Sequence, residues 1–240
     1  MADIASSRMV IDTLADKFPK HYKQGNILLI NADCMDVLAE LPDKCTDLAC
    51  VDPPYGIGED GKKNHSRDTK NAQSTKFNPK KWDETSMPVE YFHILRDKSK
   101  NQVIWGANHF IDRIPYASPC WLVWDKLING DFADCELAYT SFKTAARKFS
   151  YMWNGMLQGD MKNKEKRIHP TQKPVKLYDW IFNNYANPGQ LILDTHLGSG
   201  SSAISAWYYG CTFIGVELDE EYFDNAVKRF VDSTKQETIF

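Results

Sequence analysis

The chain has 240 residues, 42% of them hydrophobic and 25% charged, with a formal net charge of −3. That size fits one domain with a substantial core, and the slightly acidic balance is not that of a uniformly basic nucleic-acid binder. No apolar run approaches the roughly 18 residues of a membrane span, no charged-then-apolar leader opens the chain, and six scattered cysteines without a C-x-x-C pair read as reduced structural thiols, so the expected compartment is the cytoplasm.

In chain order, short apolar runs at 27–30, 48–51, 103–105, 121–124, 149–153, 191–193 and 213–216 predict seven strands. Helical patterns fit between them at 35–41, 88–98, 174–186, 200–209 and 219–231. In the last, Tyr222, Ala226, Val227 and Phe230 form an apolar stripe, Asp219 is placed to cap the N-terminus, and Lys228 and Arg229 fall in the expected last turn, where cations suit the helix dipole. Several strands are continuously apolar rather than alternating, which marks burial on both faces and hence a largely parallel sheet. The expectation is an α/β protein: a Rossmann-like, seven-stranded, mostly parallel sheet with helices on both faces, in one domain over 1–240.

After the strand at 48–51 comes Asp52-Pro53-Pro54-Tyr55. Two adjacent prolines fix two φ angles and remove two N–H donors, leaving the Asp52 carboxylate and the Pro53 carbonyl in a rigid, acceptor-only corner beside an aromatic ring. Such a corner suits an amine. The following stretch, 58–81, is long and polar, as lids and binding loops are. Basic residues concentrate at 59–81 and 143–167, which reads either as solvated loops or as phosphate contacts.

Near the other end, Asp194-Thr195-His196-Leu197-Gly198-Ser199-Gly200 follows a strand and opens a helix. Gly198, Gly200 and Ala203 satisfy G-x-G-x-x-A, and Glu217 ends the next strand at the distance where an acid grips ribose hydroxyls. The pattern marks a nucleoside-binding unit but leaves a dinucleotide and an adenosyl cofactor open. Asp52 favours the second, since a carboxylate locked beside two prolines has a use in methyl transfer to an amine and none in hydride transfer.

Taken together, these motifs resemble the S-adenosylmethionine-dependent, amino-methylating DNA methyltransferases of the permuted beta order, in which the catalytic motif precedes the cofactor motif. D-P-P-Y at 52–55 looks like the catalytic motif. His169-Pro170-Thr171-Gln172-Lys173-Pro174 resembles the H-P-T-Q-K-P segment, 194–200 resembles D-P-F-x-G-S-G, and 215–219 resembles G-x-E-x-D. Thr195 and His196 depart from the family's Pro and Phe. The region between Lys126 and His169, where the family holds its target-recognition segment (about 127–168), is short.

The resemblance implies the methyltransferase fold, S-adenosyl-L-methionine as cofactor, and double-stranded DNA with a flipped base as partner, in a restriction-modification setting and with a possible homodimer. It implies that Asp52, Pro53, Pro54 and Tyr55 act on the target, Tyr55 by stacking on the base. Asp33, Thr171, Lys173, Asp194, His196, Gly198, Gly200 and Glu217 would line the cofactor, with Asp33 open also to a plain helix N-cap role. No metal is implied. Asp rather than Ser at position 52 favours adenine N6. Cytosine N4, RNA adenine, a nicotinamide-dependent oxidoreductase and a non-catalytic DNA-binding relative are the alternatives. Pro119-Cys120 resembles the Pro-Cys of cytosine-carbon methyltransferases, but it precedes an apolar strand rather than ending one.

Overall fold

The structure is a computed structural model that describes residues 4–58, 83–114, 116–128, 133–154 and 157–235. Helix α1 (Ile4–Lys17) leads into the hairpin β1 (His21–Gln24) and β2 (Ile27–Asn31), followed by α2 (Cys34–Glu40), β3 (Thr46–Val51), α3 (Val89–Lys98) and β4 (Ser99–Trp105). Then come β5 (Trp121–Asp125), β6 (Cys135–Thr140), β7 (Arg147–Ser150) and the small hairpin β8 (Trp153–Asn154) and β9 (Leu157–Gln158). The chain closes with α4 (Val175–Tyr185), β10 (Leu191–Asp194), α5 (Ser201–Tyr209), β11 (Thr212–Glu217) and α6 (Glu220–Thr234).

Among the described residues one sheet has nine strands in the order β1-β2-β11-β10-β3-β4-β6-β5-β7, rather than the expected seven. The strands from β2 through β4 in that order are parallel, as the continuous apolar runs required, whereas β1, β6 and β5 make antiparallel pairs. The two unforeseen strands are β1 and β6, whose burial is only partial and whose sequences carry polar residues. The predicted run 149–153 is divided between the edge strand β7 and the separate β8–β9 hairpin.

Alternation along each strand sends side chains to opposite faces. Ile27, Leu29, Leu48 and Cys50 pack with Leu177, Ile181, Ala203 and Phe230 from α4, α5 and α6. Leu28, Ile30, Ala49 and Val51 pack with Ile11, Leu14, Val37 and Leu95 from α1, α2 and α3. Helices therefore cover both faces. The helix α1 was not expected, although Ile11 and Leu14 share a helical face and are fully buried.

The helix α6 is capped by Asp219, whose carboxylate accepts the Tyr222 N–H at 3.0 Å. It runs on to Thr234, so Lys228 and Arg229 do not lie in its last turn. Instead Arg229 turns inward, donating to the Ser199 carbonyl at 2.7 Å and to Glu165 at 2.6 Å. Of the expected lid at 58–81, all but Gly58 lies outside the described residues. Within the expected recognition region at 127–168, residues 129–132 and 155–156 also lie outside them. Among the described residues, no helix is long and apolar enough to cross a membrane.

Candidate active site

Strand β3 is buried along its whole length and ends at Val51, so Asp52 emerges at the carboxyl edge of the parallel strands. The first two N–H groups after the prolines, those of Tyr55 and Gly56, both donate to one oxygen of Asp83, at 2.7 and 2.9 Å. Asp83 is 2% exposed. It pins the corner that the prolines stiffen. The Tyr55 hydroxyl donates to Asp52 Oδ1 at 2.6 Å, and the ring stacks on His109 with centroids 4.9 Å apart. Gly106, at φ +66, makes room: a Cβ there would lie 2.0 Å from Tyr55 Cε1.

The second Asp52 oxygen accepts from Lys173 Nζ at 2.5 Å. That ammonium is also 3.0 Å from Glu136 Oε2, and Glu136 Oε1 lies 2.6 Å from Lys126 Nζ. The result is a chain of alternating charges, Lys126–Glu136–Lys173–Asp52, with the Lys173 side chain 4% exposed. Lys173 also sits 5.8 Å from the centroid of Tyr55 and 5.6 Å from that of Trp105, so aromatic faces support its charge. Burial would push the Glu136 carboxyl up, but Lys173 and Lys126 outweigh it and hold the group at about 2. Burial raises Asp52 above its ordinary range, with Lys173 opposing and the Glu136 charge adding to the rise. For Lys173, burial is outweighed by its two carboxylates, so the ammonium is held more firmly than usual.

Glu136 and Lys126 were not singled out from the sequence. β5 runs antiparallel to β6, which runs antiparallel to β4, so the end of β5 and the start of β6 lie at the same sheet edge as Asp52. The available signal was one acid inside a strand-like run, Cys135-Glu136-Leu137-Ala138-Tyr139. The same topology puts Cys120, ahead of β5, at the opposite edge. There its buried thiol accepts from Thr144, away from the site.

The glycine turn follows β10. Asp194 is 1% exposed and organises the turn, accepting the His196 N–H at 3.1 Å and the Ser202 hydroxyl at 2.6 Å. Gly198 and Gly200 adopt φ of +53 and +75, and Gly200 caps α5. Glu217 at the end of β11 accepts the Gly198 N–H and the Asp219 N–H, each at 2.9 Å. Burial pushes both Asp194 and Glu217 up to about 7.

His196 bonds the Thr195 hydroxyl at 2.9 Å, which in turn meets the Tyr91 hydroxyl at 2.6 Å. Burial lowers this imidazole to about 3, so it is neutral. The two departures from the family's pattern thus form one satisfied polar chain. Asp33 caps α2 by accepting the Met35 N–H at 2.8 Å. The adjoining Ala32 N–H donates to the Glu217 carbonyl, so Asp33 flanks the end of β11. Thr171 is exposed and bonds His169 Nδ1 at 3.1 Å.

The corner and the turn share one edge because β3 and β10 are parallel neighbours, with Leu193 opposite Ala49. Lys173 ties them directly. Its ammonium binds Asp52 while its carbonyl accepts the Ser201 hydroxyl at 2.7 Å, at the first residue of α5. His169 lies against the turn, 3.9 Å from where a Cβ on Gly198 would stand.

The N6_N4_Mtase family profile, described as DNA methylase, matches residues 122–228. Over that stretch the chain is similar to the N6/N4 amino-methylating DNA methyltransferases. Among similar relatives, the putative methylase YubD of Escherichia coli K12 is 26% identical over 80% of this chain and 85% of that protein. The type II methyltransferase M.HinfI of Haemophilus influenzae is 25% identical over 84% of this chain and 67% of that protein. The solved structure of the PvuII DNA methyltransferase, cytosine-N4-specific, superposes with a TM-score of 0.61 over 91% of this chain and 92% of that one, at 15% identity. The M1.HpyAVI–SAM complex gives 0.54 over 85% and 99%, at 21% identity. These superpositions establish the methyltransferase fold. Within it, the sequence-predicted residues form two adjoining groups: Asp52, Tyr55 and Lys173 at the corner, and Asp194, His196, Gly198, Gly200 and Glu217 at the turn, with Asp33 at its margin.

Proposed function

We propose that this methyltransferase moves a methyl group from S-adenosyl-L-methionine to the exocyclic N6 of an adenine flipped out of double-stranded DNA. The observation that carries the reading is the Lys173 bridge, which holds the Asp52 acceptor beside the glycine turn.

The turn suits an adenosyl group. Gly198 and Gly200 allow close backbone approach, and Glu217, with two of its roughly four lone-pair sites used by N–H groups, keeps acceptor capacity for ribose hydroxyls. Held by the turn and Glu217, the cofactor would supply an electrophilic methyl group on a sulfonium, with a neutral thioether as leaving group. Asp52 and the Pro53 carbonyl accept the N–H groups of the target amine and localise its lone pair, which the ring otherwise withdraws. The amine nitrogen would take the methyl group as the thioether leaves with the C–S electron pair, and the proton it sheds would pass to the Asp52 carboxylate or to water. No covalent enzyme intermediate is required. The base must leave the duplex to reach Asp52, since a stacked base cannot enter a half-buried corner.

Asp52 rather than Ser favours adenine over cytosine. The type II name of M.HinfI supports a place in a restriction-modification pair. Exposed Lys143, Arg147, Lys148, Lys162, Lys164 and Lys166 are candidates for a phosphate-contacting surface.

The test is incorporation of labelled methyl into DNA, followed by digestion to nucleosides. N6-methyladenine is expected from the native protein. Asp52→Ala should lower the rate by about a thousandfold, with S-adenosylhomocysteine affinity nearly unchanged. N4-methylcytosine as the sole product would reassign the target. Tight NAD binding without a homocysteine-ligand response would overturn the reading.

A further inference from the structure

Asp52 begins with both oxygens engaged, one by the Tyr55 hydroxyl and one by Lys173. Each oxygen keeps a second lone pair, but the ammonium on Oδ2 draws charge from it, so Asp52 accepts an amine N–H more strongly when Lys173 leans away, and a buried ammonium drawn from one carboxylate needs another. Glu136 is placed to supply it. Its Oε2 already stands 3.0 Å from Lys173 Nζ, facing the same ammonium that Asp52 holds. Its other oxygen is fixed by Lys126.

We propose that Glu136 is a positioning residue for methyl transfer, receiving the Lys173 ammonium on Oε2 when Asp52 turns its Oδ2 toward the target amine. The proposal rests on the reading of Asp52 as the amine acceptor. Lys173 moves between two carboxylates that already flank it, so no charge is left unpaired. Lys126 sets the balance: it draws on Glu136 and limits how strongly that carboxylate competes for Lys173.

The groups facing Asp52 are Tyr55 from its own loop, Cys50 on β3, Lys173 ahead of α4, Tyr178 on α4, Glu136 on β6, Asp194 at the end of β10 and Tyr91 on α3. Only Glu136 and Lys126 are altered in the test. In Glu136→Gln, Lys173 acts on Asp52 alone and holds it as a tighter, less basic pair. In Lys126→Met, Glu136 pulls Lys173 harder and Asp52 becomes more basic. The two variants move Asp52 in opposite directions.

The experiment measures kcat, KM for S-adenosylmethionine and the pH dependence of methyl transfer for the native protein and both variants, with S-adenosylhomocysteine binding as the check on folding. For Glu136→Gln, kcat should fall about tenfold or more with KM within about threefold, and the acid limb of the profile should move to lower pH. For Lys126→Met the acid limb should move to higher pH. Unmoved limbs in both, or a Glu136→Gln kcat within about twofold of native, would overturn the proposal. A loss of activity in Glu136→Gln that tracks loss of ligand binding, with the limb unmoved, would reduce Glu136 to a structural residue and overturn it equally. If Glu136→Gln does not fold, the direction of the Lys126→Met limb decides alone. Full activity in Asp52→Ala would instead reject the reading of Asp52 itself, so the two failures are distinct.

Discussion

The corner at Asp52 and the glycine turn both hold carboxylates at the same sheet edge, yet Asp52 and Glu136 are satisfied by different means from Asp194 and Glu217. At the corner, Asp52 and Glu136 interleave with two ammonium groups. At the turn, Asp194 and Glu217 are met by backbone N–H groups and a serine hydroxyl, with no ion pair among the described residues. The consequence is a difference in how firmly charge is fixed. Cations hold Glu136 at about 2, whereas burial with only neutral donors leaves Asp194 and Glu217 at about 7. Glu136 at the corner keeps its charge across the working pH range, whereas burial raises Asp52 beside it, and the two carboxylates of the turn are poised between ionised and neutral.

The linkage to stability has opposite signs in the two places. Glu136 stabilises the fold above its ordinary value of 4.5, and that contribution is lost as pH falls toward about 2. Asp194 and Glu217 bind protons more tightly when folded, so their contribution is present below the ordinary values of 3.8 and 4.5 and is lost as pH rises to about 7.

The largest break in this comparison should come from Lys173→Met. It removes the cation between Asp52 and Glu136 and should cost roughly 3–5 kcal/mol of stability, as loss of one partner from a buried ion pair does. Urea unfolding measures it, and adding Glu136→Gln should restore part of the loss. A midpoint unchanged in Lys173→Met would mean that the charges are not coupled. A smaller effect is expected at the turn, where native affinity for S-adenosylhomocysteine should strengthen as pH rises through about 7 and Glu217 ionises, by at most about tenfold per pH unit below that point. Calorimetry across pH 6 to 8 should find Glu217→Gln weaker at the upper end and flat with pH. A flat native profile would remove the poised carboxylate from the cofactor's hold. The smallest effect belongs to Ser202→Ala, which takes one donor from Asp194 and should lower stability by about 1–2 kcal/mol, read from the urea midpoint. No shift would show that the turn's backbone donors suffice.

Much of this architecture is local. Apolar runs of strand length, helical spacing and the capping Asp219 marked most elements, because each depends on neighbours within a turn or a pleat. The corner at 52–55 and the bend at 198–200 were legible for the same reason, since proline and glycine act on their own backbone. The strands β1 and β6 were not, because their partly polar sequences are held by pairing with strands elsewhere in the chain. Asp83, Gly106 and Glu136 were missed with them: each matters through a residue distant in sequence, and nothing near it announces that contact.

The sequence by itself determined the chemistry on offer, an acceptor-only corner and a glycine turn open to close backbone approach, because those properties are written in backbone restraint at single positions. Only the tertiary structure decided which charges surround Asp52. Lys173 lies 121 positions away and Glu136 arrives on an antiparallel strand, so their pairing depends on strand order in the sheet and on the cost of burying a charge without a partner.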